Sequence, residues 1–347
     1  MAGTRDLLAR VERSCAAPEG AKQLREQVMA ALHTAVPFDA YNFPLLDPAS
    51  LVATSPLADV PMLPWPKLAD LIRWRYLTTA FRWDRLLEAD AGAVSLQGVT
   101  GGHPQESLLW LHAQRELGVT DTATVAFGDR YGCWGVLDLW RVGGPDFTAG
   151  ELSTLSALAG PVTAGLRRAV ARTFVDPDHQ LMPLGPAVVV LGPDLQVRSQ
   201  TEAAAEALLR LNPPDEPMAP IPAAVYNVGA ALLAAEEETP VGPPWSRVHL
   251  GGSRWVTVKA SRLAQDIAVS IEPSTPAERM DVYGRAAGLS ERESQVLALL
   301  GAGLDTKEIA TRLVVSEHTA TDHVKSILAK TGARTRQLLL ARGLGAR

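Results

Sequence analysis

The stretch LSERESQVLALLGAGLDTKEIATRLVVSEHTATDHVKSILAKTG, residues 289–332, carries three helix starts and three helix stops in one short run. Ser290 followed three residues later by Glu293 is a capping box, and Val296, Leu297 and Leu300 fall on one face of the helix it opens. Gly301 and Gly303 end that helix. Asp305 and Glu308 repeat the box ahead of Ile309, Ala310 and Leu313. Val314-Val315 then makes a turn, and Ser316 caps a third helix running to about Lys330. Gly332 supplies the stop, and Arg336 to Arg342 reads as a fourth short helix carrying Leu338, Leu339 and Leu340. The pattern predicts an all-α four-helix domain over residues 285–347.

Charge separates this segment from the rest of the chain. From Gly284 to Arg347 there are ten Lys/Arg against six Asp/Glu; the whole chain has 33 against 38, which leaves 23 against 32 upstream. A basic end on an acidic body is the asymmetry expected when one domain meets phosphate and the remainder does not.

The helical series resembles the C-terminal DNA-binding domain of the LuxR family. The matching residues are Leu289-Ser290, Arg292-Glu293, Thr306 to Ala310, Ser316, Thr319, His323 and Lys330-Thr-Gly332. The resemblance implies a helix-turn-helix whose third helix enters the major groove of double-stranded DNA. On that helix Ala320, Val324 and Ile327 form an inward stripe, while Thr321, Asp322 and Lys325 share the outward face. The free N–H groups after Ser316 suit a phosphate. Thr306 and Lys307 resemble the family's phosphate-contacting positions; Ser316 and Thr319 open the recognition helix, and Arg334 and Arg336 lie just beyond it, within reach of the backbone. The chain departs from the family at Ala320-Thr321, where Val-Lys is usual, and at Asp322, which accepts from cytosine N4 but repels phosphate. The resemblance also implies a homodimer, with the fourth helix as its expected surface, and RNA polymerase is a further candidate partner.

Upstream, two α+β regions are expected, and no internal repeat is visible. In the first, residues 1–175, Ala21 to Val36 reads as a helix and Tyr41-Phe43-Leu45 alternates as a strand. Thr122 to Phe127 and Gly132 to Trp140 form a hairpin. A capping box at Thr148 and Glu151 opens a long helix with Leu155, Leu158, Val162 and Leu166 on one side. In the second, residues 183–273, strands at Ala187 to Leu191 and Ile267 to Ile271 flank a helix from Thr201 to Leu211. A hairpin turns there at Gly251-Gly252-Ser253. Through Trp134-Gly135-Val136-Leu137, Pro145-Asp146-Phe147-Thr148 and the closing helix, the first region resembles a GAF sensor domain. The second resembles a PAS domain through Pro186 to Leu191 and Asp194 to Val197. Residues 274–284 read as a linker. The fold class is therefore multidomain: α+β GAF/PAS-like sensor domains followed by an all-α helix-turn-helix domain.

Trp74, Tyr76, Trp83, Trp110 and Trp134 are the candidate lining of an apolar pocket for a small-molecule effector. Trp74, Tyr76, Trp83 and Asp84 also loosely echo the autoinducer-binding domain of quorum sensors. A phosphorelay receiver is disfavoured, since the N-terminal part offers only the isolated Asp6 and Asp39 where an acidic pair is needed. The leading reading is a one-component transcription regulator; the alternative is one controlled by protein–protein contact of the first domain without a ligand. No nucleophile–base constellation, cofactor loop or metal-ligand spacing stands out, so no enzyme, cofactor or metal is expected. Cys15 and Cys133 show no paired spacing, no apolar run reaches the ~20 residues of a membrane span, and the first residues lack a signal-peptide core. A cytoplasmic location, away from membranes, is expected. Arg outnumbers Lys heavily and Ala is abundant, a composition that resembles proteins of high-GC actinobacteria.

Overall fold

The computed structural model describes residues 2–80, 82–88, 92–175, 185–211, 222–252 and 254–345. Ser253 of the expected hairpin turn lies outside them. The first unit runs α1 (Ala2–Ala16), α2 (Ala21–Leu32), β1 (Ala40–Asn42), β2 (Ala58–Asp59), α3 (Leu68–Leu77), α4 (Trp83–Glu88), β3 (Ala93–Ser95), α5 (Leu96–Val99), β4 (Val119–Asp129), β5 (Gly132–Val142) and α6 (Ala149–Arg172). Its antiparallel sheet has the order β2-β1-β5-β4-β3. Alternation assigns the two faces of the long β4–β5 hairpin. Ala123, Val125, Phe127, Leu137 and Leu139 meet Leu7, Val28, Leu158, Val162 and their neighbours from α1, α2 and α6. Thr122, Thr124, Asp138 and Trp140 take the other face, where Arg75 of α3 reaches the Asp138 carboxylate at 3.2 Å. The expected strand Tyr41–Leu45 is cut short. β1 ends at Asn42, and Leu45 keeps an isolated bridge to Gly135.

The second unit runs β6 (Ala187–Leu191), β7 (Val197–Gln200), α7 (Glu202–Leu211), α8 (Ala223–Glu236), β8 (Trp245–His249), β9 (Trp255–Leu263) and β10 (Asp266–Pro273). Its sheet order, β7-β6-β10-β9-β8, repeats that of the first sheet position for position. Helix α8 is buried along most of its length, because the sheet covers one side and α3 of the first unit packs on the other. A helix that is apolar all round needs such double cover. Among the described residues no helix is long and apolar enough to cross a membrane.

Five helices follow, not four: α9 (Pro276–Ala286), α10 (Glu291–Gly301), α11 (Thr306–Leu313), α12 (Glu317–Thr331) and α13 (Arg336–Leu344). The segment expected as a linker is α9. Thr275 and Glu278 form its capping box, and Met280, Val282 and Tyr283 join the core of the C-terminal helices. Its apolar face is completed from far upstream. Phe174, just past α6, stacks on Trp255 of β9 at 5.3 Å and on Tyr283 at 4.8 Å, so one aromatic stack joins all three parts of the chain.

A charged node sits at the same junction. Arg247 of β8 is 4% exposed and Asp47 of the first unit is 1% exposed. The guanidinium grips that carboxylate with two hydrogen bonds, Nε to Oδ2 at 2.7 Å and Nη2 to Oδ1 at 3.0 Å. Its remaining arm donates to Asp281 of α9 at 2.6 Å and to the Glu278 carbonyl at 3.2 Å. Breaking one side of a buried pair leaves an uncompensated charge, at a cost of about 3–5 kcal/mol. Arg247→Met is therefore expected to lower the thermal unfolding midpoint sharply. The double variant Arg247→Met/Asp47→Asn should lose less than the two single losses added together.

Candidate nucleic-acid interface

The local caps that build the C-terminal domain are all formed. Ser290, Asp305 and Ser316 each accept from the backbone N–H three residues on, and Gly332 ends α12 at a φ of 62°, a conformation that suits glycine. Between α11 and α12 the chain turns at Val314, whose φ is 55° and whose side chain is 90% exposed. Positive φ is costly for a β-branched residue, and here the turn between two packed helices imposes it.

Two residues of the first helix position the next two. Arg292 donates to the Leu313 carbonyl at 2.5 Å and so closes the C-terminal end of α11. Glu293, 5% exposed, accepts from its own cap at Ser290 N–H, from Ser326 Oγ and from Lys330 Nζ, each at 2.6 Å. Ser326 and Lys330 belong to α12, so this carboxylate fixes how the recognition helix lies across α10. Sequence reading had Arg292 and Glu293 only as a motif and a cap. A charged pair beside an apolar helix face was the one available signal of this clamp.

On α12, Ala320 and Ile327 are fully buried and Val324 packs partly against the same core, as the inward stripe predicts. The outward face differs in detail. Asp322 and Lys325 are exposed and paired at 3.2 Å, and His318 Nε2 lies 3.3 Å from the other Asp322 oxygen. Thr321 is only half-exposed, its hydroxyl donating to the Glu317 carbonyl. His318 was not among the expected residues. Ser316 and Thr319 are exposed at the helix start, their hydroxyls 2.8 Å apart. Thr306 opens α11 half-buried, whereas Lys307 and Arg334 are exposed, with no ion-pair partner among the described residues. Arg336 is half-buried beside α11. One arm of its guanidinium donates to the Leu304 carbonyl and is committed to the fold. On α13, Leu339 is core and only Leu338 is exposed, so the expected three-leucine surface is not a single face.

The five upstream aromatic residues do not share one pocket. Trp74 stacks on His112 at 4.1 Å, the Tyr76 hydroxyl accepts from Ala53 N–H at 3.0 Å, and Trp110 Nε1 donates to the Val119 carbonyl at 2.9 Å. Trp134 lies in the core on the helix-covered face, whereas Trp83 sits against the Arg75 guanidinium at 4.5 Å on the opposite side. A cleft of about 1290 Å³ opens between the two α+β units and α9; Trp83 and Trp134 border it, together with Trp140 and Trp255, which sequence reading did not select. The Asp84 side chain lies outside the described ones.

Residues 287–341 match the family described as bacterial regulatory proteins, luxR family, so the C-terminal segment is a luxR-type helix-turn-helix domain. The chain is similar to the transcriptional regulatory protein LnrK of Bacillus subtilis (strain 168), with 50% identity over 48 residues, 14% of this chain. The match spans 22% of that relative's length. Among solved structures, Escherichia coli SdiA aligns over 99% of this chain and 96% of its own, at 12% identity and a TM-score of 0.36.

The Glu293 clamp is sensitive to acid. Burial alone raises a carboxyl, but hydrogen bonds from Lys330, Ser326 and Ser290 outweigh it and bring Glu293 down to about 2. The charged form is thus favoured by folding. Its contribution is complete above the ordinary value of 4.5 and is lost as pH falls from there toward about 2. The loss is on the order of 2–3 kcal/mol. Unfolding midpoints measured from pH 7 down to pH 3 should fall along an acid limb that Glu293→Gln flattens.

Proposed function

We propose that this chain is a one-component transcription regulator that reads double-stranded DNA with α12 and adjusts that reading through its two α+β units. The luxR-type segment carries the reading, because it presents a helix whose buried stripe anchors it and whose polar face is left outward. The domain's ties to the upstream units run through α9, Arg285 to the Tyr131 carbonyl and the Phe174 stack, all away from α11 and α12. The recognition face is therefore free while the domain is docked.

In this reading Lys307, Arg334, Thr306 and the α12 N-terminus at Ser316 and Thr319 meet phosphate, while Thr321, Asp322 and Lys325 face base edges. The upstream units act as GAF-like and PAS-like sensors, and the cleft between them favours a small-molecule effector over control by protein contact alone. The regulator works in the cytoplasm as a homodimer on two half-sites about one helical turn apart, beside RNA polymerase, with no catalytic step and no cofactor. Leu338 is the residue of α13 placed to meet a second copy.

Two substitutions in the full chain separate positioning from reading. Lys307→Ala should weaken binding to every sequence alike and lower the salt slope by about one. Asp322→Ala should relax selection at one base pair, by on the order of 1–3 kcal/mol, and leave non-specific binding equal or stronger. Binding-site selection on both proteins decides the point. Base preferences unchanged at every position would confine Asp322 to its pairing with Lys325 and His318.

A further inference from the structure

Arg25 of α2 is a buried cation without a counter-charge. It is 2% exposed, and no carboxylate among the described residues pairs with it. Its Nε donates to the Ala21 carbonyl at 3.1 Å, and its Nη1 to the carbonyls of Phe43 at 2.5 Å and Ser55 at 2.8 Å. A guanidinium has five N–H donors, so those of Nη2 are left without an acceptor. Arg25 borders the cleft and Nη2 keeps surface open to solvent, so these donors open into it. Arg141 shows the fully engaged alternative. It is 6% exposed, and all three of its nitrogens find acceptors, one of them the Glu151 carboxylate. Desolvation by burial brings Arg25 down to about 9, the direction expected of a buried cation whose contacts are neutral carbonyls.

The other charges on the lining divide into pairs and a remainder. Arg75 pairs with Asp138, Arg247 with Asp47 and Asp281, and Lys22 with Glu26 at 3.8 Å. Glu19, Asp59 and Arg172 are exposed and have no ion-pair partner among the described residues, while Arg172 donates to the Pro18 carbonyl at 2.9 Å. Burial pushes the Tyr41 hydroxyl up, and the charges of Asp59, Glu26 and Arg25 act on it as well, so these three surround one side chain. A bare anion drawn to Arg25 would meet the two carboxylates at the rim. A bare cation drawn to the rim would leave Arg25 uncompensated. A group carrying both signs satisfies both. The apolar wall includes Leu68, Leu71 and Ile72 of α3.

We propose that this cleft binds a zwitterionic small molecule, an α-amino acid with a large apolar side chain, whose carboxylate accepts from Arg25 Nη2 and whose ammonium faces Asp59. The proposal rests on reading the α+β units as the sensor half of a regulator, and it adds the chemistry of the effector. The cleft volume of about 1290 Å³ leaves room for an apolar body well beyond the charged head. Val282 of α9 borders the same cleft, which puts its contents beside the helix that leads into the recognition domain.

The test uses the full chain and three probes that share a biphenyl body. 4-Phenyl-L-phenylalanine carries both charges, 3-(biphenyl-4-yl)propanoic acid lacks the ammonium, and 2-(biphenyl-4-yl)ethylamine lacks the carboxylate. Affinities are measured by titration calorimetry near neutral pH. The amino acid should bind on the order of tenfold more tightly than the amine, as one hydrogen bond to a buried charge implies. It should bind about threefold more tightly than the acid, since its ammonium meets an exposed carboxylate. Arg25→Gln, shown to be folded by circular dichroism, should erase the advantage over the amine. Asp59→Asn, on the exposed edge strand β2, should erase the advantage over the acid and leave binding of the acid equal or tighter. The comparison of probes on the unaltered protein stands even where Arg25→Gln fails to fold. An amine that binds as tightly as the amino acid, or a folded Arg25→Gln that keeps the preference, overturns the carboxylate anchor and leaves the sensor reading intact. An acid that binds as tightly as the amino acid overturns the zwitterion. No binding of any probe overturns the site, and with it the cleft as grounds for a small-molecule sensor.

Discussion

Arg247 is held out of water between carboxylates contributed by two other parts of the chain, Asp47 of the first sheet unit and Asp281 of α9. Such a burial carries a large desolvation penalty and adds little net stability over a well-packed apolar substitute. Its value is geometric. A planar fork that must satisfy two carboxylates at once admits few arrangements of the three elements carrying them. Asp47 is itself fixed, because its oxygens also accept from the N–H groups of Ala49, Ser50 and Arg247. The docking of both sheets and the direction in which α9 leaves them depend on this node, and the aromatic stack of Phe174, Trp255 and Tyr283 fills the apolar side of the same junction.

The DNA-binding domain is organised on the same principle at smaller scale. Glu293 stands to α10 and α12 as Arg247 stands to the larger units: one buried charge, met from two elements, sets an angle that apolar packing alone leaves loose. Arg292 and Arg336 complete the frame by donating to carbonyls at helix ends and loops. Among the exposed charges of α11 and α12, Lys330 serves the Glu293 clamp, Glu308 closes the capping box of α11 and Asp322 pairs with Lys325 and His318, whereas Lys307 has no ion-pair partner among the described residues.

What was legible in the sequence was local. Capping boxes, glycine stops and a 3.6-residue stripe each lie within one turn or one helix, and the helices of residues 289–344 formed where those signals put them. The hairpin at Asp129–Gly132 and the capped start of α6 were readable for the same reason. Arg247 and Asp47 are too far apart in sequence for any spacing to pair them. Helix α9 read as a linker because its apolar face is buried by other elements, α10 and α13 as well as Phe174 and Trp255. The tryptophans were grouped by their density in the chain, whereas the sheet sorts them by face: Trp134 goes to the helix-covered side and Trp140 to the other. The shared strand order of the two sheets was invisible because topology depends on alternation and turn placement, not on residue identity.

Helix α8 carries a consequence for how this chain is divided. Its second unit was delimited by patterns that look modular, yet one flank of α8 is covered by α3 of the first unit. Cut out alone, the second unit would show water a continuous apolar strip and would associate through it; the first unit would bare α3 in turn. Two sheets that repeat one topology have thus become obligate neighbours. Their boundary remains a boundary in sequence while ceasing to be one in cooperativity. Recombination at that seam would inherit half an interface, so the pair is a single heritable piece to which the DNA-reading helices are joined.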